Sequence, residues 1–398
     1  MKILYCVQRY GLEIAGGAEA ACRNVAERMV ARGHQVEVLT TCALSYNDWA
    51  DHFAPGTSEL NGVVVHRVQV REPRDEARFV SLHRRVTEGS GAAPAVQQDW
   101  LRTLGPDAPG LITWLEEHSG EFDVIDFFTY LYATSGFGVR VARRHAPTVL
   151  HPTAHDEAAF WLDVYRPMLD SADGFAFLTV EEQELMRTRH GRVRDDELVG
   201  LGVETSVVGD GDRFRERHGL GETPLVVYLG RVDPGKGPDE LYRFMVTLID
   251  HGRTDARLVV VGDPVVALPE HPGVVVTGFV DEQTKHDALA AATVFVQPSY
   301  FESFSLSLCE AWIQRRPALV QARCDVLRGQ VHRSGGGLPY TGLAEFDVAL
   351  ARLLDDVELR ERMGSAGRDY VVANYEWDEV LQRYERLLDR VVSERAVA

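Results

Sequence analysis

Lysine is almost absent from this 398-residue chain. Of 42 Lys and Arg side chains, only Lys2, Lys236 and Lys285 are lysines. Cysteine is sparse too: Cys6, Cys22, Cys42, Cys309 and Cys324 are odd in number, widely spaced and without a C-x-x-C pair. That excludes a disulfide framework and points to buried thiols in a reducing, cytoplasmic setting. No apolar run approaches the ~20 residues of a membrane helix. The opening Met1–Val7 stretch is too short for a signal-peptide core and reads as a first strand. Positive charge is scarce: the formal net charge is −18, and acid is in excess in both halves. General attraction to nucleic acid or anionic lipid is thereby excluded. The first strand is not followed by G-x-G-x-x-G, and the second ends in Thr40-Thr41 instead of an acidic ribose acceptor, so a nicotinamide site is not indicated. Walker A and H-E-x-x-H sequences are absent as well.

What is present is alternation. Strand patterns at 2–7, 35–40, 63–68, 123–128, 147–151, 174–178 and 197–200 interleave with helix patterns near 17–32, 110–119, 132–145, 156–171 and 180–190. A second series of strands follows near 225–229, 257–261, 273–276, 294–297 and 318–320, again with helices between. Such alternation predicts an α/β protein with mostly parallel sheets covered on both faces. At this length two domains are expected: residues 1–204 and 205–375, divided in the glycine-rich stretch near 200–222. Two helix patterns, 358–373 and 377–395, close the chain, and the segment 376–398 is expected to pack back on the first domain. Residues 72–109 break the rhythm and read as a helical or irregular insertion.

Chemistry concentrates in the second half. Glu302 and Glu310 lie eight positions apart in a segment that follows the apolar run Val294-Phe295-Val296 and opens a helix. With that helix starting near Phe304, its unpaired amides would lie between two carboxylates separated by ~12 Å. Helix-start amides bind phosphate, and carboxylates accept hydrogen bonds from vicinal sugar hydroxyls. The spacing therefore suits a nucleoside diphosphate sugar. Upstream, an apolar strand ends at Gly230, and Arg231 and Lys236 follow on a Gly/Pro loop before a helix that starts near Pro238. Arg offers phosphate a planar fork and Lys a compact charge. In so lysine-poor a chain, an ammonium between two glycines reads as a requirement for that group.

Weaker signals lie elsewhere. Gly16-Gly17 allows close backbone approach at a helix start, or forms a plain turn. His151 and His155 are four apart, but Pro152 and the strand context argue against a shared helix face and a metal site. His155 could contact a ligand or be a hydrogen-bonded structural histidine. Asp210-Gly211-Asp212 has the D-x-D form of some metal sites, but its place in the glycine-rich stretch reads as a turn.

Taken together, these segments resemble the GT-B retaining glycosyltransferases of family GT4. The resemblance rests on Gly16-Gly17-Ala18-Glu19, His155-Asp156, Gly202-Val203-Glu204, Gly230-Arg231 with Lys236-Gly237, Thr277-Gly278-Phe279-Val280, and Glu302-x7-Glu310, and it spans nearly the whole chain. It implies two Rossmann-like domains facing a central cleft. It also implies transfer of a hexosyl unit from a nucleoside diphosphate sugar, UDP- or GDP-hexose, to an acceptor hydroxyl by a front-face mechanism without cofactor or metal. Arg231 and Lys236 would neutralise the departing diphosphate. Glu302 would bind sugar hydroxyls, helped by amides of Ser303, Phe304, Ser305 and Leu306. Glu310 would bind the ribose, His155 the donor sugar, and Gly16, Gly17 and Gly230 would admit the phosphates, with Phe279 near the base. Acceptor candidates in the first domain are Tyr10, Glu13, Tyr46, Trp49 and Tyr130, whose aromatics could equally fill the core. Acidic charge favours a soluble small-molecule or glycan acceptor over lipid. Departures exist: Ser303 and Ser305 stand where the family often has glycine, and Gln321 and Arg323 replace smaller residues. A sugar phosphorylase, a nucleotide-sugar epimerase and a non-catalytic nucleotide-sugar-binding protein remain alternatives on this fold.

Overall fold

A computed structural model describes residues 1–14, 16–88, 91–191, 195–262 and 268–397. Short runs rich in Val, Ile, Leu and Phe form strands that are buried along most of their length, as parallel sheets require. Internal contacts divide the chain into two units, Met1–Gly200 with Leu381–Ala398, and Leu201–Val380. The divisions thus fall at Gly200 and Val380, where the sequence suggested 204 and 375.

Unit 1 holds β1 (Lys2–Cys6), β2 (Gln35–Thr41), β3 (Gly56–Leu60), β4 (Val63–Val68), β5 (Val124–Phe128), β6 (Thr148–His151), β7 (Gly174–Phe177) and β8 (Asp195–Leu198). They form one sheet in the order β3-β4-β2-β1-β5-β6-β7-β8. All neighbours are parallel except β3 and β4. β3 adds to the strands expected from sequence. Its polar residues carry no apolar signal, but Asn61 and Gly62, both at positive φ, make the tight hairpin turn that forms it. The insertion is helical, with helices Glu76–Thr87 and Pro94–Leu104. The second of these delivers Trp100 and Leu101 to the core. The long helix expected over 156–171 is instead two 3-10 turns and a four-residue helical turn, Arg166–Leu169, with Pro167 in its first turn. Proline suits a helix start but not an interior. The last helix, Trp377–Val397, adds Tyr384, whose hydroxyl bonds to Asp126, and Glu385, which pairs with Arg32 at 2.8 Å.

Unit 2 holds β9 (Leu225–Leu229), β10 (Arg257–Val261), β11 (Val274–Gly278), β12 (Val294–Gln297), β13 (Ala318–Gln321) and β14 (Gly337–Tyr340). The sheet is wholly parallel, in the order β11-β10-β9-β12-β13-β14. Chain order reverses between β9 and β12. At such a switch point the loops leaving the two strands diverge to opposite faces and open a crevice at the strands' carboxyl ends. The segments carrying Arg231–Lys236 and Ser299–Glu310 are the loops that leave these two neighbouring strands.

No helix among the described residues is long and apolar enough to cross a membrane. All five cysteines are free and buried.

Candidate functional site

The switch point brings the basic loop and the first glutamate together. Lys236 Nζ lies 2.8 Å from Glu302 Oε1, and Gln297 Nε2, at the end of β12, donates to the same oxygen at 2.9 Å. Burial alone would push the Glu302 carboxyl up. The Lys236 charge and the hydrogen bonds outweigh that and hold it below the usual carboxylate range, so Glu302 is ionised at neutral pH. Close packing of the two loops depends on Gly237. Its φ is +72°, and a Cβ there would come within 2.5 Å of the Pro298 carbonyl oxygen. That glycine also caps the helix Pro238–Asp250, whose Glu240 accepts from Tyr300 Oη at 2.9 Å and Gln321 Nε2 at 3.2 Å. Glu240 thereby ties the ends of β12 and β13 to the basic loop. Gln321 is fully buried and spent on this bond, so it shapes the wall from behind.

The helix carrying Glu310 runs from Leu306 to Ile313. It starts two residues later than the sequence suggested. Ser305 occupies the cap in the left-handed region, φ +73°, and this breaks the chain out of helix before it. Only Leu306 to Glu310 is therefore helical, a rise of about 6 Å, and Glu302 sits on the preceding loop. A loop followed by one helical turn therefore joins the two glutamates in place of one continuous helix. The Phe304 ring packs edge-on against Tyr375, and its carbonyl accepts from the buried Gln330 amide. Its side chain is structural.

Glu310 is buried and meets Lys285 Nζ at 2.7 Å, and the same ammonium lies 2.7 Å from Glu282. Burial raises the Glu310 carboxyl, with Lys285 opposing. Burial disfavours the Lys285 charge, but Glu310 and Glu282 reverse this and raise its pKa. Two of the three lysines in the chain thus pair with the two glutamates of the E-x7-E segment. Lys285 carries no motif, and sequence reasoning passed over it. The signal that could have found it is the scarcity of lysine itself. Glu282, His286 and Glu310 place potential ligand atoms within 4.8 Å of one another, but the Lys285 ammonium already lies between two of them. A metal ion there would have to displace a covalently held cation.

The other expected residues lie on loops and helix starts of both units. Arg231 and Phe279 are exposed on the loops after β9 and β11. Gly230, extended at φ +157°, follows β9 directly. Gly16 and Gly17 start the helix Gly17–Ala31 after β1, in unit 1. A Cβ on Gly16 would lie 2.1 Å from Glu19 Oε2, while Gly17 opens on free space. His155 follows β6 with Nδ1 3.5 Å from Glu157 Oε1. Asp210 caps the helix Gly211–His218 by accepting from Arg213 N, so the D-x-D stretch starts a helix.

The acceptor candidates divide. Glu13 is exposed, and Tyr46 is half-buried under the Arg9 guanidinium. Tyr10, Trp49 and Tyr130 are each about 1% exposed, which corrects their assignment to acceptor contact. Trp49 Nε1 donates to the Leu104 carbonyl at 2.7 Å, and Tyr130 Oη to Glu157 at 2.7 Å. These rings fill the core of unit 1. An open cavity of about 440 Å³ in unit 1, lined among others by Arg71, Arg102, Thr134 and Phe137, was not anticipated.

Comparison with known proteins places this geometry. Residues 223–356 match the model described as glycosyl transferases group 1, and residues 16–202 match the glycosyl transferase 4-like domain. A D-inositol 3-phosphate glycosyltransferase of Kribbella flavida is 30% identical over 238 residues, covering 54% of this chain and 56% of the relative. The chain thus spans little more than half the length of that relative. Among solved structures, sucrose-phosphate synthase from Thermosynechococcus elongatus superposes with a TM-score of 0.75 at 18% identity, over 99% of this chain and 100% of the other. Anabaena HepE, solved with UDP and glucose, gives 0.72 at 16% identity, over 98% and 100%. The fold is of the GT-B type. Arg231, Lys236, Glu302 and Glu310 all fall within the group 1 match.

Proposed function

The chain belongs to the group 1, GT4-like glycosyltransferases, and from that premise we propose that it moves a hexosyl unit from a nucleoside diphosphate sugar to an acceptor hydroxyl with retention of configuration and without a bound metal. The observation that carries this reading is the ionised Glu302 held by Lys236 at the β9/β12 switch point. The bond between the anomeric carbon and the diphosphate oxygen breaks, and the acceptor oxygen attacks from the same face. The acceptor proton passes to the departing diphosphate. Positive charge grows on the sugar and negative charge on the leaving group. Arg231 and Lys236 stabilise the latter most where it is fully developed, as rate acceleration requires. Lys236 and Gln297 hold Glu302 by Oε1, and the carboxylate would accept hydrogen bonds from sugar hydroxyls. Glu310 would accept from the ribose hydroxyls. When a ligand hydroxyl donates to it, Lys285 keeps the carboxylate charged inside a buried setting.

Arg231 and Lys236 supply in covalent form the positive charge that a divalent ion provides elsewhere. HepE holds UDP on the same fold, which favours a uridine donor. The acceptor is proposed to be soluble, a small molecule or glycan, in line with the inositol phosphate in the relative's name, and to be held by unit 1. Five buried thiols suit a cytoplasmic setting.

The test is a thermal-shift panel of UDP, GDP, ADP and CDP in EDTA on wild type and Glu310→Ala, followed by NMR of the anomeric proton of the product. One nucleotide should raise the melting temperature, and the shift should vanish in the variant. The product should keep the donor's configuration. No shift with any nucleotide, or an inverted product, would sink the proposal.

A further inference from the structure

Unit 2 has a polar cavity of about 360 Å³, away from the donor loops. Its wall includes Thr293 and Pro317, the residues just before β12 and β13. It therefore lies at the amino ends of strands whose carboxyl ends carry the candidate donor site. Arg215, Arg315, Arg316 and Arg360 converge on it.

Their partners are unusual for so acidic a chain. Arg215 donates to the carbonyls of Gly221, Thr223 and Ala291 at 2.8–2.9 Å. Arg315 donates to Ser365 Oγ at 3.1 Å, and Arg360 to the carbonyls of Leu353 and Leu354 at 2.6 and 2.7 Å. Arg316 Nε is buried with no protein partner. Among the described residues, none of the four guanidinia forms an ion pair with a carboxylate, although the chain has 60 Asp and Glu against 42 Lys and Arg. Asp212 and Glu361 also line the cavity, both exposed, leaving four positive charges against two negative. The first turns of the helices Gly211–His218 and Val357–Tyr375 contribute to the wall, and helix starts carry partial positive charge. Arg315 is held at φ +56°, a conformation costly for a side chain of its size, and this presents two consecutive arginines to one cavity. Burial, with the nearby Arg215 adding, lowers the Arg316 pKa.

We propose that this cavity is a binding site for a multiply charged phosphate anion, distinct from the donor site and independent of it. Guanidinia satisfied only by neutral oxygens keep their charge for a ligand, and their forks match phosphate oxygens. The volume lies within the range of small-molecule sites and accommodates a diphosphate or a phosphorylated sugar.

The experiment is calorimetric titration of inorganic pyrophosphate into wild type, the double variant Arg315→Gln with Arg316→Gln, Glu361→Gln, and Lys236→Ala. Retained melting temperature would show that each variant is folded. Wild type should bind, and the double variant should bind at least ~10-fold more weakly through loss of charge-assisted hydrogen bonds. Glu361→Gln, on an exposed residue, should bind a few-fold more tightly because an opposing charge is gone, and it serves if the double variant does not fold. Lys236→Ala should lose only pyrophosphate held at the donor loops and keep the binding that the double variant weakens. No pyrophosphate binding by wild type would overturn the proposal. So would binding that is lost in Lys236→Ala and unchanged by both the double variant and Glu361→Gln.

Discussion

The two sheets share a reversal of strand order, at β1/β5 in unit 1 and at β9/β12 in unit 2, yet they use charge there in opposite ways. In unit 1 the charges are locked in. Arg9 and Glu19 pair with side chains only 8% and 6% exposed, and Asp126 is closed over by His151 at 3.0 Å and by the Tyr384 hydroxyl. In unit 2 the carboxylates of Glu302 and Glu310 are similarly recessed, but their lysine partners reach solvent, at 32% and 16% exposure. Two buried partners make a bond that no ligand can exchange. A buried acid with a flexible, part-exposed ammonium can trade its partner for a phosphate or a sugar hydroxyl. Topology opens the same crevice twice, and side-chain burial decides which one is available for chemistry.

Breaking the locked pair should have the largest effect, and on stability. Arg9→Ala leaves the buried Glu19 without its ion-pair partner, at a cost of about 3–5 kcal/mol, read as a lower denaturant midpoint. If Arg9→Ala costs no more than an exposed substitution, the contrast between the units is wrong. The exchangeable pair should fail in activity instead. Lys236→Ala should lower turnover by ~10²-fold, about 2.7 kcal/mol of transition-state stabilisation, measured as nucleotide release. Near-normal turnover would remove Lys236 from the leaving-group site.

A third test sharpens the comparison through pH. Glu182 in unit 1 is fully buried and accepts from Ala154 N and Leu178 N, both at 2.7 Å, tying together the loops after β6 and β7. Burial pushes its carboxyl up to about 8, against opposing pulls from those two amides. A carboxyl raised on folding favours the native state at low pH and gives up that contribution as pH rises from its unfolded value, 4.5, toward 8. Stability should therefore fall over that window, by at most about 1.4 kcal/mol per pH unit. Glu182→Gln should abolish the slope. It should also lower the baseline by roughly 1–3 kcal/mol, because one of the two amides loses its acceptor. Melting curves from pH 5 to 8 on both proteins decide this, and an unchanged slope in the variant would assign it to another group.

The smallest effect belongs to Ser305. Its left-handed backbone and its buried hydroxyl without a protein partner mean that nothing is lost on truncation. Ser305→Gly should raise stability by about 1 kcal/mol, strain relief being partly offset by the greater freedom of glycine in the unfolded chain. A fall in melting temperature would show that the hydroxyl has a role.

Much of the architecture was legible in the alternation of apolar and polar residues, because strands of a parallel sheet must be apolar on both faces. β3 escaped because an edge strand need not be, and β14, Gly337–Tyr340, because four residues with a proline resemble a turn. At the site, Arg231, Lys236, Glu302 and Glu310 stood out by residue type and position after strands. Lys285 and Glu240 did not, since each acts through a neighbour more than 20 residues away in sequence. Tyr10, Trp49 and Tyr130 looked like contact residues because an aromatic beside polar neighbours has the same appearance whether it is stacked on a ligand or packed in a core.

The sequence alone therefore determined the fold class, the two-part organisation and the residue types proposed to meet a phosphorylated sugar. Those follow from local periodicity and from which side chains carry charge. Only the tertiary structure decided which lysine meets which glutamate, which aromatics are buried, and that four arginines share one cavity. Each of these depends on strand order and loop packing, which bring residues distant in sequence within a few ångströms of one another, and no local pattern records that.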